Sequence, residues 1–153
     1  MKAFSLLMAA LVGSLLPLQA LINARLGQST HGPLFASMVS FLVGSAALLL
    51  CWSALRPAAI DFGTLSRMEW WGWTGGLIGA LFVLAATVLV PRLGAAGLIC
   101  AVVFGQMVGS LLLDHYGVLH PRQAIDPMRV LGVLLVAAGA LLVVRPWQAA
   151  APA

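Results

Sequence analysis

Five long apolar runs, joined by mostly short polar connections, leave this 153-residue chain few ways to fold. A hydrocarbon core of about 30 Å is crossed by roughly 20 residues of helix, and the runs at about 4–24, 33–55, 70–90, 93–113 and 127–144 meet or approach that length. The expected fold is all-α: a polytopic membrane protein, a bundle of five transmembrane helices forming one domain over 1–147, with a short frayed tail at 148–153. An odd number of crossings puts the two ends on opposite sides of the bilayer. A second copy inserted upside down would then pair with the first as an inverted repeat, which makes a half-transporter the first hypothesis.

A chain that is 62% hydrophobic and 8% charged, with a mean hydropathy of +1.06, cannot cover a water-facing surface with polar side chains. The bilayer is its expected surrounding. The last run is the shortest: its unbroken apolar part is Val130–Val144, so Arg129 and Arg145 must snorkel and Trp147 must sit at an interface. Met1-Lys2 before an apolar run resembles a secretory signal, but the run continues past Pro17, and Leu18-Gln19-Ala20 is a poor cleavage site. We read it as the first span.

The net charge of +4 does not point to nucleic acid, because the eight Lys and Arg residues stand singly near span ends. They carry topology instead. The two longer connections, Arg56–Glu69 and Asp114–Asp126, hold all four acidic residues and fall on one side of the membrane. A cytoplasmic amino terminus gives that side Lys2, Arg56, Arg67, Arg122 and Arg129, against Arg25, Arg92 and Arg145 outside. The positive-inside rule thus places the amino terminus in the cytoplasm and the carboxyl terminus outside, with a bias small enough to leave dual insertion open. The connections Arg25–Gly32 and Pro91-Arg92 are tight hairpins, and similar segments follow the first and third spans, Asn23-Ala24-Arg25-Leu26-Gly27 and Val90-Pro91-Arg92-Leu93-Gly94.

Gly97, Ala101, Gly105 and Gly109 recur every fourth residue, laying a strip of small side chains along the fourth span; Gly75 and Gly79 do so on the third, and Ala36, Ser40 and Gly44 on the second. Such strips let helices approach closely, within one subunit or across a dimer seam. Polar groups inside spans are costly and either bond between helices or mark a pathway. Gln19 and Asn23 share a face just after Pro17, Ser37 and Ser40 share one on the second span, and Gln106, Ser110 and Asp114 form a stripe on the fourth. Gln19, Asn23, Ser40 and Gln106 are therefore the substrate-cavity candidates. Asp114 lies in the last turn of a helix that Tyr116-Gly117 stops, where the helix dipole disfavours a carboxylate. It requires an ion-pair partner, with Arg122, Arg129 and His115 in reach, or else it exchanges protons. Trp70, Trp71 and Trp73 at the start of the third span are interfacial anchors, as is Trp147, although one of the three could line a cavity for a cationic or aromatic substrate.

Several of these segments have the look of a known family. Gln19 to Gly27, then Pro33, Ala36, Ser40, Phe41 and Gly44, resemble the first hairpin of the small YdcZ-like family in the drug/metabolite transporter superfamily. Pro91 to Gly94, Gly105-Gln106, Leu113 to Gly117, and Arg129 with Gly132 and Gly139 are similar to its later motifs. The resemblance implies an inner-membrane protein of five helices, half of a ten-helix EamA-type transporter. It departs from the four-helix multidrug relatives, which depend on a glutamate in the first span; this chain has none there, so their mechanism does not carry over. Asp114 is the proton-coupling candidate, with Glu69 behind it.

The expected function is a small-molecule transporter acting by alternating access as a homodimer, antiparallel or paired, or as a heterodimer with a second five-span subunit. A passive channel or accessory membrane subunit without its own transport cycle is the alternative. An enzyme is not expected: the spans hold no metal-ligand cluster and no nucleophile–base spacing, and His31, His115 and His120 are assigned to loops. No cofactor, metal or nucleic acid is expected, and Cys51 and Cys100 read as small apolar side chains.

Overall fold

The computed structural model describes residues 2–55, 63 and 67–145. Among these there is no β-strand; the elements are helices α1 (Lys2–Gly13), α2 (Leu16–Ser29) and α3 (Pro33–Leu55), a 3-10 turn (Trp70–Trp73), and helices α4 (Thr74–Tyr116) and α5 (Pro127–Val144). Four stretches are long and apolar enough to cross a membrane: Ala3–Ser29, Pro33–Leu55, Trp70–Tyr116 and Pro127–Val144. Arg56, most of the connection that follows it, Trp147 and the tail at 148–153 lie outside the described residues. The chain divides into two compact units, Met1–Pro91 and Arg92–Ala153.

In the first unit, the initial apolar run is one helical path with a fault. Pro17 has no N–H to donate and its ring crowds the carbonyl four residues back, and the regular ladder lapses at Ser14 and Leu15, just upstream. Local bonds bridge the fault: the Leu15 N–H donates to the Val12 carbonyl at 3.1 Å and the Ser14 hydroxyl to the Leu11 carbonyl at 2.7 Å. Helix α2 then runs on to Ser29, so Arg25 lies on the helix and the connection to α3 is shorter than the polar segment Arg25–Gly32 implies. The Ser29 and Thr30 hydroxyls donate to the Arg25 and Leu26 carbonyls, which the helix end would otherwise orphan.

Small residues bring α2 and α3 together. Ala20, Asn23, Ala24 and Gly27 on α2 are buried, as are Ala36 and Ser37 on α3. Gly27 is the tightest point: a Cβ there would lie 3.2 Å from the backbone of Gly32 and Pro33. The chain turns at Gly32, whose φ of +97° suits glycine.

Pro91 and Arg92 remain within α4; the backbone leaves helical geometry only at Gly94, with φ 71° and ψ 162°. Past that break the second unit contains the rest of α4 and α5. The end of α4 is a Schellman motif, in which Gly117 adopts φ 66°, the Gly117 N–H donates to the Asp114 carbonyl and the Val118 N–H to the Leu113 carbonyl. His115, expected in a loop, is therefore on the helix. Helix α5 begins where Asp126 caps it, its carboxylate accepting from the Met128 and Arg129 N–H groups, and Pro127 occupies the first turn.

Very little of this chain is interior. Val90, Thr87 and Leu98 are buried, but large side chains such as Leu6, Leu49, Leu77 and Leu142 lie open along the helices. In water so much exposed apolar area would be an association hazard; in lipid the same side chains meet a solvent as apolar as themselves.

Gly27→Val is expected to lower the thermal midpoint of the detergent-purified protein, by an amount corresponding to about 1–3 kcal/mol, because backbone on the opposing side cannot retreat as a side chain would. Gly44→Ala, where an added Cβ meets nothing within 4 Å, is expected to leave the midpoint unchanged or raise it.

Candidate functional site

Polar side chains gather at one place in each unit. In the first, the Gln19 amide nitrogen donates to the Ser40 hydroxyl at 3.4 Å, linking α2 to α3 beside a small cavity of about 210 Å³ that Phe41, Gly44, Ser45 and Val83 complete. One turn along α2, Asn23 is 4% exposed and its amide nitrogen has no hydrogen-bond partner among the described residues. A buried donor left unpaired costs about 1–3 kcal/mol. The serine and threonine of this region need no such partner: Ser37 donates to the Pro33 carbonyl at 2.9 Å and Thr87 to the Val83 carbonyl at 2.8 Å, each within its own helix.

The second place is an open groove of about 360 Å³ between the last turns of α4 and the first turns of α5. Gln106, Ser110 and Asp114 form its polar wall, with Arg129 entering from α5, and Val103, Met107, Leu111 and Val133 supply apolar surface. The four-residue spacing of the polar stripe is what aligns the three α4 side chains.

Asp114 has both carboxylate oxygens engaged. His120 Nε2 lies 3.1 Å from one and Arg129 Nη1 donates to the other at 3.3 Å. Of the three partners in sequence reach, only Arg129 is used; His115 and Arg122 are not, and His120 takes the remaining oxygen. Arg129 is the hub. Its Nη2 donates to the Gln123 side-chain oxygen at 2.6 Å and its Nε lies 3.3 Å from the Asp126 carboxylate. The groups are about one-third exposed, so each pair contributes little net stability and what it fixes is geometry. His120 was not legible as a partner, since the loop closure that returns it to Asp114 depends on the turn at Gly117 and on Leu119, which takes φ 64°. Asp126 was legible in principle: an Asp-Pro pair before an apolar run is a helix-start signal.

The remaining candidates separate clearly. A Cβ added at Gly79 would lie 3.5 Å from the Phe41 ring, and one added at Gly97 would lie 3.6 Å from Leu93 and 3.8 Å from Val144. Gly75, Gly105 and Gly109 meet nothing within 4 Å, and Ala101 is exposed. Trp70, Trp71 and Trp73 are all exposed in the 3-10 turn that leads into α4. The Trp71 indole N–H donates to the Glu69 carboxylate, which places that acid among the tryptophans. No group of three potential metal ligands occurs among the described residues.

Comparison with known proteins agrees with this architecture. The family described as "Putative inner membrane exporter, YdcZ" matches residues 4–142. "Inner membrane protein YdcZ" of Escherichia coli (strain K12) is 32% identical over 146 residues, covering 91% of this chain and 92% of that protein. No solved structure matches the chain. Matched along nearly its whole length and built of apolar helices long enough to cross a bilayer, the chain belongs to the YdcZ family of membrane proteins.

Proposed function

We propose that this protein is an inner-membrane transporter that moves a small molecule outward, working as a pair of five-span subunits. The observation that carries the reading is the groove of the second unit, where an amide, a hydroxyl, a carboxylate and a guanidinium face a space large enough for a small ligand on helices otherwise suited to lipid. The outward direction rests on the family's description as an exporter.

The five-span reading draws on the stretch Trp70–Tyr116. Its 47 residues would extend about 70 Å as unbroken helix, more than twice the hydrocarbon thickness. Its backbone breaks at Gly94, and each side of that break is long enough for one crossing. Five crossings put the termini on opposite faces, with the amino terminus cytoplasmic by charge bias, and dual insertion would let two copies pair as an inverted repeat. Pairing is supported by the small-residue face at Gly105 and Gly109, where an added Cβ would meet nothing within 4 Å among the described residues. It also offers a partner for the Asn23 amide, which finds none among the described residues.

In this reading Gln106 contacts substrate in the groove of the second unit, Gln19, Asn23 and Ser40 form a separate candidate contact in the first, Asp114 is the coupling carboxylate, and binding energy shifts the pair of subunits between inward-open and outward-open states.

Four outcomes test it. Reporters fused to the carboxyl terminus, one active only inside and one only outside, should both give signal in intact cells if insertion is dual; an external signal alone favours a single orientation and a separate partner. Replacing Gln19, Asn23 or Gln106 by Ala should cut saturable flux at least several-fold in proteoliposomes while insertion stays intact, whereas non-saturable flux in the parent protein would point to a channel. Gly105→Leu should weaken subunit crosslinking, and Asp114→Asn should flatten the pH dependence of transport; an unaltered pH profile would leave Asp114 a purely structural ion-pair partner.

A further inference from the structure

The charge arrangement in the second groove narrows the class of ligand it can hold. Two carboxylates, Asp114 and Asp126, share a single guanidinium, Arg129. They are not equivalent. Asp126 caps α5, where the helix dipole and two backbone N–H groups stabilise its charge. Asp114 lies at the opposite kind of terminus, in the last turn of α4, where the dipole adds negative potential.

The contacts that compensate Asp114 are also long. A charge-assisted hydrogen bond has its heavy atoms about 2.7–2.9 Å apart, while Arg129 approaches Asp114 at 3.3 Å and His120 at 3.1 Å. Arg129 has its shortest contact elsewhere, at 2.6 Å to Gln123. A carboxylate offers about four acceptor sites, so Asp114 retains unused capacity, and it lines the groove.

The neighbouring charges do not alter this balance. Among the described residues Arg122, packed against Gly117, makes no ion pair and is not part of the groove lining, and His115 makes no ion pair with Asp114. An anion entering the groove would have to take Arg129 from both carboxylates. A cation need only occupy the open side of Asp114, because Arg129 would keep Asp126 and Gln123.

We propose that this groove binds a small organic cation: a protonated amine on an apolar body, its N–H groups donating to the Asp114 carboxylate and its body lying along Val103, Met107, Leu111 and Val133. Gln106 and Ser110 supply further polar contact along the same wall. Arg129 then acts as a built-in competitor, the positive group that a ligand must push back and that re-pairs with Asp114 when the ligand leaves. The proposal deepens the transporter reading and rests on it for the groove's role.

The test measures binding rather than flux, so the two ideas can fail separately. The full chain, purified in neutral detergent, is titrated calorimetrically with three probes of similar shape: 2-phenylethylamine as its cation, 2-phenylethanol, and 3-phenylpropanoate. The amine should bind at least tenfold more tightly than either of the others. Asp114→Asn should abolish that preference, and Arg129→Gln should tighten amine binding by roughly five- to tenfold, since a competing unit charge a few ångströms away is removed. A purely structural Arg129 would give the opposite sign, because losing the hub would loosen the groove. Either variant decides alone if the other does not fold. Tighter binding of the carboxylate or the alcohol, amine binding indifferent to Asp114→Asn, or weaker or unchanged amine binding in Arg129→Gln would overturn the proposal. Amine binding without flux in proteoliposomes would uphold it while removing the transport reading; saturable flux of another solute that depends on Gln106, with no amine binding, would do the reverse.

Discussion

A bilayer interior offers no water to an unpaired backbone group, and every feature of this chain is arranged around that fact. Helix satisfies the backbone within each segment, so the points that matter are those where helix fails. At Pro17 the fault is patched by bonds to the Val12 and Leu11 carbonyls. After Ser29 hydroxyls cover the free carbonyls, and at Gly117 a Schellman motif does so. Within α4 the backbone leaves helical geometry at Gly94 without such a motif, and glycine is the residue that tolerates its φ of 71°.

The same constraint explains why the polar groups are so few and so placed. Ser37 and Thr87 donate to carbonyls of their own helix, which satisfies them without outside partners. Amides and charges cannot be served that way. Gln19 reaches across to Ser40, the Asn23 amide nitrogen has no partner among the described residues, and Asp114 draws an imidazole and a guanidinium from the loop and helix that follow it. These groups cannot be served within one helix, because their hydrogen-bonding needs exceed what its own carbonyls provide.

Much of this was legible from the order of residues. The family resemblance rested on motifs spread along the chain and agrees with a match over residues 4–142. The limits of α3 and α5 follow the apolar runs at 33–55 and 127–144 closely, since in both cases a proline opens the helix and an apolar stretch continues it. The stop at Tyr116-Gly117 was equally plain. Other boundaries were less so: α2 outlasts its apolar run by a turn, because Gln28 and Ser29 are tolerable in a helix near an interface, and the break read at Pro91-Arg92 falls at Gly94, because a proline deletes one bond whereas a positive φ ends the helix.

Sequence alone determined that this chain is helical, that it belongs in a membrane, and which few polar residues lie inside the spans, because hydropathy and local backbone chemistry act over distances of a helical turn. It did not determine which partner each polar group takes. Asp114 had three candidate partners in reach by counting, and the fold chose Arg129 and added His120, through a loop whose path depends on positive φ values at Gly117 and Leu119. Likewise the glycine strips look alike as sequence, yet among the described residues an added Cβ would meet a neighbour at Gly79 and Gly97 and nothing within 4 Å at Gly105 and Gly109. Those distinctions depend on which surfaces approach one another, and that is a property of the packed helices rather than of any one of them.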